Sequence, residues 1–153
     1  MIKKQGFTLI ELVITLMIMS IIAAIAMPDF KKACARHNLT VAAVVMRQEI
    51  WSWGQDSLQK EKAGYVIEFS KAKYQVKEGL AIKKSISMPS GVEITESKFG
   101  EGLVYDPLRF SARGYPIRNG HVTISNRSIG QVKYVIVAPY TGRVRVSDYL
   151  DGD

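Results

Sequence analysis

The sequence predicts an α+β protein in which one long N-terminal helix packs on antiparallel β-sheets. Three observations carry that prediction. Residues 7–27 form a nearly unbroken apolar run, and from Asp29 to about Trp53 apolar residues recur at spacings near three and four. After Gly64 the period falls to two, across many short segments separated by glycine and proline. Short strands joined by turns build antiparallel sheets, and a helix with one apolar face lies against them.

The chain opens with Lys3-Lys4, then Gly6, then the apolar run. As a helix, that run is about long enough to cross a hydrocarbon core of roughly 30 Å. Glu11 sits inside it. An ionised carboxylate in hydrocarbon costs at least a few kcal/mol, so its presence there marks a function. Two plainer readings compete. A secretory signal peptide finds an A-x-A cleavage site in Ala24-Ile25-Ala26, although its apolar core is normally about 7–15 residues long. A signal anchor held by Lys3 and Lys4 on the cytoplasmic side fits the hydropathy but gives Glu11 no role.

Beyond Asp29 the residues Phe30, Ala33, Cys34, Val41, Val44, Val45 and Trp51 mark an apolar stripe. Lys31, Lys32, Arg36, Arg47 and Gln48 fall mostly between them. Pro28 is expected to bend the helix rather than end it, because the preceding half lacks other breakers. Gly54 is the first plausible stop, with residues 55–62 a frayed extension or a polar loop. A helix over residues 7–53 would run roughly 70 Å at 1.5 Å per residue. Trp51 and Trp53 read as core anchors. Cys34 is the sole cysteine, which excludes an intramolecular disulfide. It reads as a small buried residue in helix packing, with a mixed disulfide to another subunit as the alternative.

Segments 65–69 and 74–76 read as a hairpin around residues 70–73. Further strands are expected at 80–83, 92–95, 103–105, 108–110, 122–125, 132–138 and 143–146. No internal repeat or low-complexity tract interrupts them. At 153 residues, the chain has room for one membrane helix and one modest domain. Its formal net charge of +7 suits an anionic partner such as nucleic acid or a teichoic polymer.

Enzyme chemistry finds little support. His37 and His121 are the only histidines, and neither has metal-ligand spacing to a second His or Cys. No glycine-rich phosphate loop or nucleophile elbow occurs, which leaves only a Ser–His–Asp set assembled in space. Asp148, Asp151 and Asp153 could gather around Ca²⁺, although a frayed acidic terminus is the commoner meaning of such a tail. The expectation is therefore no enzyme, no cofactor and no metal. Gly142-Arg143-Val144-Arg145 carries a different chemistry. On a strand, Arg143 and Arg145 project to one face while Val144 and Val146 face the other. Two guanidinium forks on an exposed face can bridge phosphates. Charges of this kind also keep an edge strand from aggregating, which is the plainer reading.

Gly6-Phe7-Thr8-Leu9-Ile10-Glu11 resembles the class III leader of type IV pilins and pseudopilins. The resemblance implies a prepilin leader at residues 1–6, cleavage by a prepilin peptidase after Gly6 and N-methylation of Phe7. It further implies a transmembrane and filament-core segment at 7–28, with Pro28 as the family's helix-bending proline. In the assembled filament Glu11 would meet the new amino terminus of a neighbouring subunit, and a paired buried charge costs far less than a lone one. Cleavage would remove Lys3 and Lys4 and leave 19 basic against 14 acidic residues.

The C-terminal half narrows the resemblance. Leu108-Arg109-Phe110-Ser111-Ala112-Arg113-Gly114-Tyr115-Pro116, then Gly120-His121-Val122-Thr123-Ile124, is similar to minor pseudopilins of the GspH/FimT type. So is the closing Tyr140-Thr141-Gly142-Arg143-Val144-Arg145-Val146. The order of these pieces is especially similar to the competence pseudopilins of Gram-positive bacteria, the ComGD type. This implies an amphipathic helix continuation at 29–62 and a pilin-like antiparallel β domain at 63–153. The partners implied are other pilins, the prepilin peptidase, a membrane platform protein and an assembly ATPase. The chain would span the cell membrane once, with its C-terminal domain outside the cytoplasm, before joining an envelope filament. Arg143 and Arg145 also resemble the G-R-x-R motif that FimT-type pilins use for DNA, with Arg113, Arg118, Arg127 and Lys133 as candidate members of the same patch.

Overall fold

A computed structural model describes residues 8–61, 64–138 and 141–150 of the chain. Among these residues one helix, α1 (Leu9–Gln59), precedes eight strands. These are β1 (Tyr65–Ser70), β2 (Lys73–Glu78), β3 (Ala81–Ser87), β4 (Val92–Lys98), β5 (Leu108–Arg109), β6 (Gly120–Asn126), β7 (Gln131–Val137) and β8 (Val144–Ser147). The chain divides into two compact units, residues 1–34 and 35–153.

In the first unit Thr8 caps α1. The Glu11 N–H donates to Thr8 Oγ1 at 3.3 Å and the Leu12 N–H donates to the Thr8 carbonyl at 3.2 Å. Thr8 and Glu11 thus have the spacing of a capping box, with the hydroxyl satisfying one of the free donors of the first turn. Side chains from Leu9 to Cys34 are exposed, and this segment is long and apolar enough to cross a membrane. Its hydroxyls are satisfied within the helix: Thr15 donates to the Leu12 carbonyl at 2.8 Å and Ser20 to Met17 at 2.7 Å. That is what hydrocarbon demands of polar groups. Pro28 lies inside α1, so it does not end the helix.

In the second unit α1 buries Leu39, Ala42, Ala43, Met46 and Ile50 against two four-stranded antiparallel sheets, of order β3-β2-β1-β5 and β4-β6-β7-β8. Ile67, Val76, Ile94, Leu108, Val122, Ile124 and Val135 complete the core. The two sheets are tied where the Ile94 N–H donates to the Lys71 carbonyl at 2.9 Å. The buried stripe is not the expected one. Phe30, Ala33, Cys34, Val41, Val45 and Trp51 are exposed. Both stripes obey the helical period, and the one that meets the sheets carries Leu39, Ala42, Ala43, Met46 and Ile50. Trp51 is therefore no core anchor. Trp53 does pack on the core, with its ring 5.1 Å from Tyr65 and its indole N–H donated to Glu49 at 3.3 Å.

Gly54 does not stop the helix. It is buried within α1, where a Cβ would lie 3.0 Å from the Gly114 carbonyl and 3.4 Å from the Phe110 ring. The missing side chain admits the loop around Gly114, and Ser57 fixes the contact by donating to the Ser111 carbonyl at 2.9 Å. The contact with that loop compensates the helix cost of glycine, about 1 kcal/mol.

The strands lie where expected apart from their ends, such as β4 running on to Lys98, and two departures are larger. β3 extends to Ser87 because β2 pairs with it as far as Lys73. Residues 103–105 form no strand, only a single bridge from Tyr105 to Ser97. The cause is Asp106, whose buried carboxylate accepts the N–H groups of Phe99, Glu101 and Leu103 at 2.9, 3.0 and 2.7 Å. These bonds gather residues 99–105 into a loop. Burial works to raise the Asp106 pKa, but the backbone donors outweigh it and hold the group below its ordinary value.

Candidate functional site

Gly6 and Phe7, the expected cleavage and methylation positions, lie outside the described residues. Glu11 occupies the first turn of α1 and is exposed, with no cationic partner among the described residues. Its backbone serves the Thr8 cap, which leaves the carboxylate free of any bond within the helix that the described residues show.

The basic strand is an edge. Among the described residues β8 pairs with β7 alone, with Val144 opposite Val137, Arg145 opposite Ile136 and Val146 opposite Val135. Val144 and Val146 are half-buried against the core, whereas Arg143 and Arg145 are exposed. The expected alternation is present, although Arg143 precedes the strand. Gly142 turns the chain into β8 with a φ of 63°, and the Arg143 carbonyl accepts the Ala138 N–H at 2.9 Å.

The remaining basic candidates do not gather into one patch. Arg127 sits on the turn after β6, at the opposite end of the sheet from Arg143, and pairs with Glu93 at 3.3 Å. Lys133 shares strand parity with the buried Val135 and Val137, and its ammonium pairs with Asp148 at 2.5 Å. Arg118 donates to the Gly100 carbonyl beside Phe99 and Ile117. Arg113 is placed differently. The Gly114 N–H donates to the Ser111 carbonyl at 3.0 Å, closing a turn that presents Arg113 beside Gly142 and Val144.

Two residues escaped the sequence reading. Arg47 and Trp51, one helical turn apart on α1, line a groove with Gln48 and Val144. Their spacing was visible, but which side of α1 meets the sheets was not. Among the described residues no cluster of three or more His, Cys, Asp or Glu could hold a metal ion. His37 is exposed, and His121 lies 3.7 Å from Glu96.

Residues 1–27 match the family model of the prokaryotic N-terminal methylation motif. No curated protein and no solved structure matches the chain.

Proposed function

We propose that this chain, a type IV pilin or pseudopilin by its N-terminal methylation motif and its helix-on-sheets layout, is a minor pseudopilin of an envelope filament that serves DNA uptake. One observation carries the filament reading. The apolar residues of the motif-bearing helix segment are exposed around the one carboxylate of residues 8–28, Glu11. Such a surface needs lipid first and other subunits afterwards. Lys3 and Lys4 favour a cytoplasmic N-terminus, which puts the β domain outside the cytoplasm. A prepilin peptidase, a membrane platform protein and an assembly ATPase are the partners this role requires.

Processing is the direct test. Mass spectrometry of the membrane-extracted protein should find an N-terminus at methylated Phe7, and Gly6→Val should leave the leader attached, because a β-branched residue stiffens the scissile position. A mature chain beginning at Met27 would establish a secretory signal peptide instead. A second reading, favoured by exposed Arg143 and Arg145 on an edge strand, makes the domain a DNA receptor. A pseudopilin of a protein-secretion or pilus system would carry the same helix. Loss of transformation, rather than of secretion or piliation, on deletion of the chain supports the DNA-uptake reading.

A further inference from the structure

Most cations of the β domain are already neutralised: Lys77 reaches Glu68, Lys84 reaches Glu49, Arg127 reaches Glu93 and Lys133 reaches Asp148. Arg47 and Arg113 are exposed and make no ion pair among the described residues. Each lines a space that Trp51 also lines. Arg47 lines a groove of about 240 Å³ with Gln48, Trp51 and Val144. Arg113 lines the adjoining cavity, which shares Trp51 and Val144 and adds Tyr115. Trp51 is 57 % and Tyr115 43 % exposed, and among the described residues no carboxylate lines either space.

We propose that this groove between α1 and β8 binds single-stranded nucleic acid, with Trp51 and Tyr115 stacking on bases and Arg47 and Arg113 holding phosphates. The proposal rests on the reading of the domain as one that meets DNA, and it assigns the contact to a different set of side chains from Arg143 and Arg145. Aromatic faces flanked by guanidinium groups, with no acid among the described lining residues, suit a polyanion whose repeating units are planar rings. A duplex keeps its base faces stacked inside, so rings held in a groove select a single strand or an opened end. A second copy of this chain is the poorer occupant, because its excess of basic residues, 19 against 14 acidic ones once Lys3 and Lys4 are removed, opposes a cationic groove.

The test uses the full-length chain in non-ionic detergent. Fluorescence anisotropy follows a labelled oligonucleotide of roughly 16 nucleotides, single-stranded or as a blunt duplex, from about 50 mM salt upward. The single strand should bind more tightly than the duplex. Trp51→Ala should weaken it about tenfold or more, while Trp51→Phe, which keeps a ring, should retain most of the affinity. Arg47→Gln with Arg113→Gln should flatten the logarithmic salt slope by about 1.4. Thermal unfolding of each variant separates lost binding from lost fold. If Arg143→Gln with Arg145→Gln abolishes binding while Trp51→Ala leaves it intact, the groove is overturned and the basic-strand reading stands. If neither nucleic acid binds at low salt, both are overturned. Self-association that depends on Trp51, without nucleic-acid binding, would identify a second copy as the occupant and overturn the proposal.

Discussion

Asp106 and Glu11 are both carboxylates in costly surroundings, and they resolve the cost in different ways. Asp106 is satisfied by its own chain, through donors from Phe99, Glu101 and Leu103. Its pKa is held below the ordinary 3.8 in the folded protein. A depressed acid stabilises the fold fully above its unfolded value, and the contribution drains away as pH falls through the folded value. Asp106→Asn should therefore lower the melting temperature near neutral pH, and the gap to the parent should narrow below 3.8. A constant gap across a pH series of melting curves would show that shape, not charge, holds the loop. Glu11 has no such internal partner among the described residues. Glu11→Val removes a costly charge, so membrane insertion should be unimpaired, while crosslinking into filaments should drop. Undiminished crosslinking together with normal transformation would remove Glu11 from assembly.

Among the elements, one close approach joins the C-terminal part of α1 to the loop before β6, through Gly54 and Gly114. The two glycines predict opposite responses. At Gly54 an added Cβ meets the Gly114 carbonyl at 3.0 Å, and the gain in helix propensity, about 1 kcal/mol, offsets that crowding. Gly54→Ala should thus stay within about 1 kcal/mol of the parent. Gly114 has a φ of 74°, and its Cβ would run into the Gly54 carbonyl and lie 2.8 Å from the Leu58 Cβ. Gly114→Ala should cost about 1–3 kcal/mol or more, read by chemical unfolding. An unchanged midpoint would mean that the loop yields freely. This contact also shows where the sequence stopped being legible. Glycine at 54 reads locally as a helix stop, and only the partner loop reveals what its missing side chain admits. The hairpin of β1 and β2, the β7 strand and the alternation of Val144 and Val146 with Arg143 and Arg145 were legible, because a period of two fixes both strand and face. The phase of α1 was not legible, since apolar residues lie on more than one of its sides. Hence Trp51 was read as buried, and the groove it lines with Arg47 was missed. The 103–105 segment misled for a related reason: its β-type residues are overruled by one carboxylate three positions or fewer downstream.

At the scale of the whole molecule, the chain joins two units with opposite solvent needs. Residues 8–34 expose their apolar side chains and bury none among themselves. The unit of residues 35–153 holds the core of Leu39, Met46, Ile50, Ile67, Val76, Ile94 and Ile124, all inaccessible to solvent. The segment-level reading of the sequence, an apolar anchor before a mixed domain, matches this contrast because it depends on composition rather than on phase. The consequence is separability. A fragment of residues 35–153 should be soluble without detergent and unfold cooperatively, whereas the full chain should need detergent or lipid. The fragment keeps the part of α1 that contributes Leu39, Ala42, Ala43, Met46 and Ile50 to the core. Starting instead at residue 51 would strip all five and expose the inner faces of both sheets. Truncating one of them, with Ile50→Ala, should cost the fragment about 2–5 kcal/mol in urea unfolding, the range for a fully buried aliphatic side chain. A fragment that aggregates, or that unfolds without a cooperative transition, would show that the first unit supports the second. A fragment indifferent to Ile50→Ala would show that α1 is a tether to the sheets and not a part of their core.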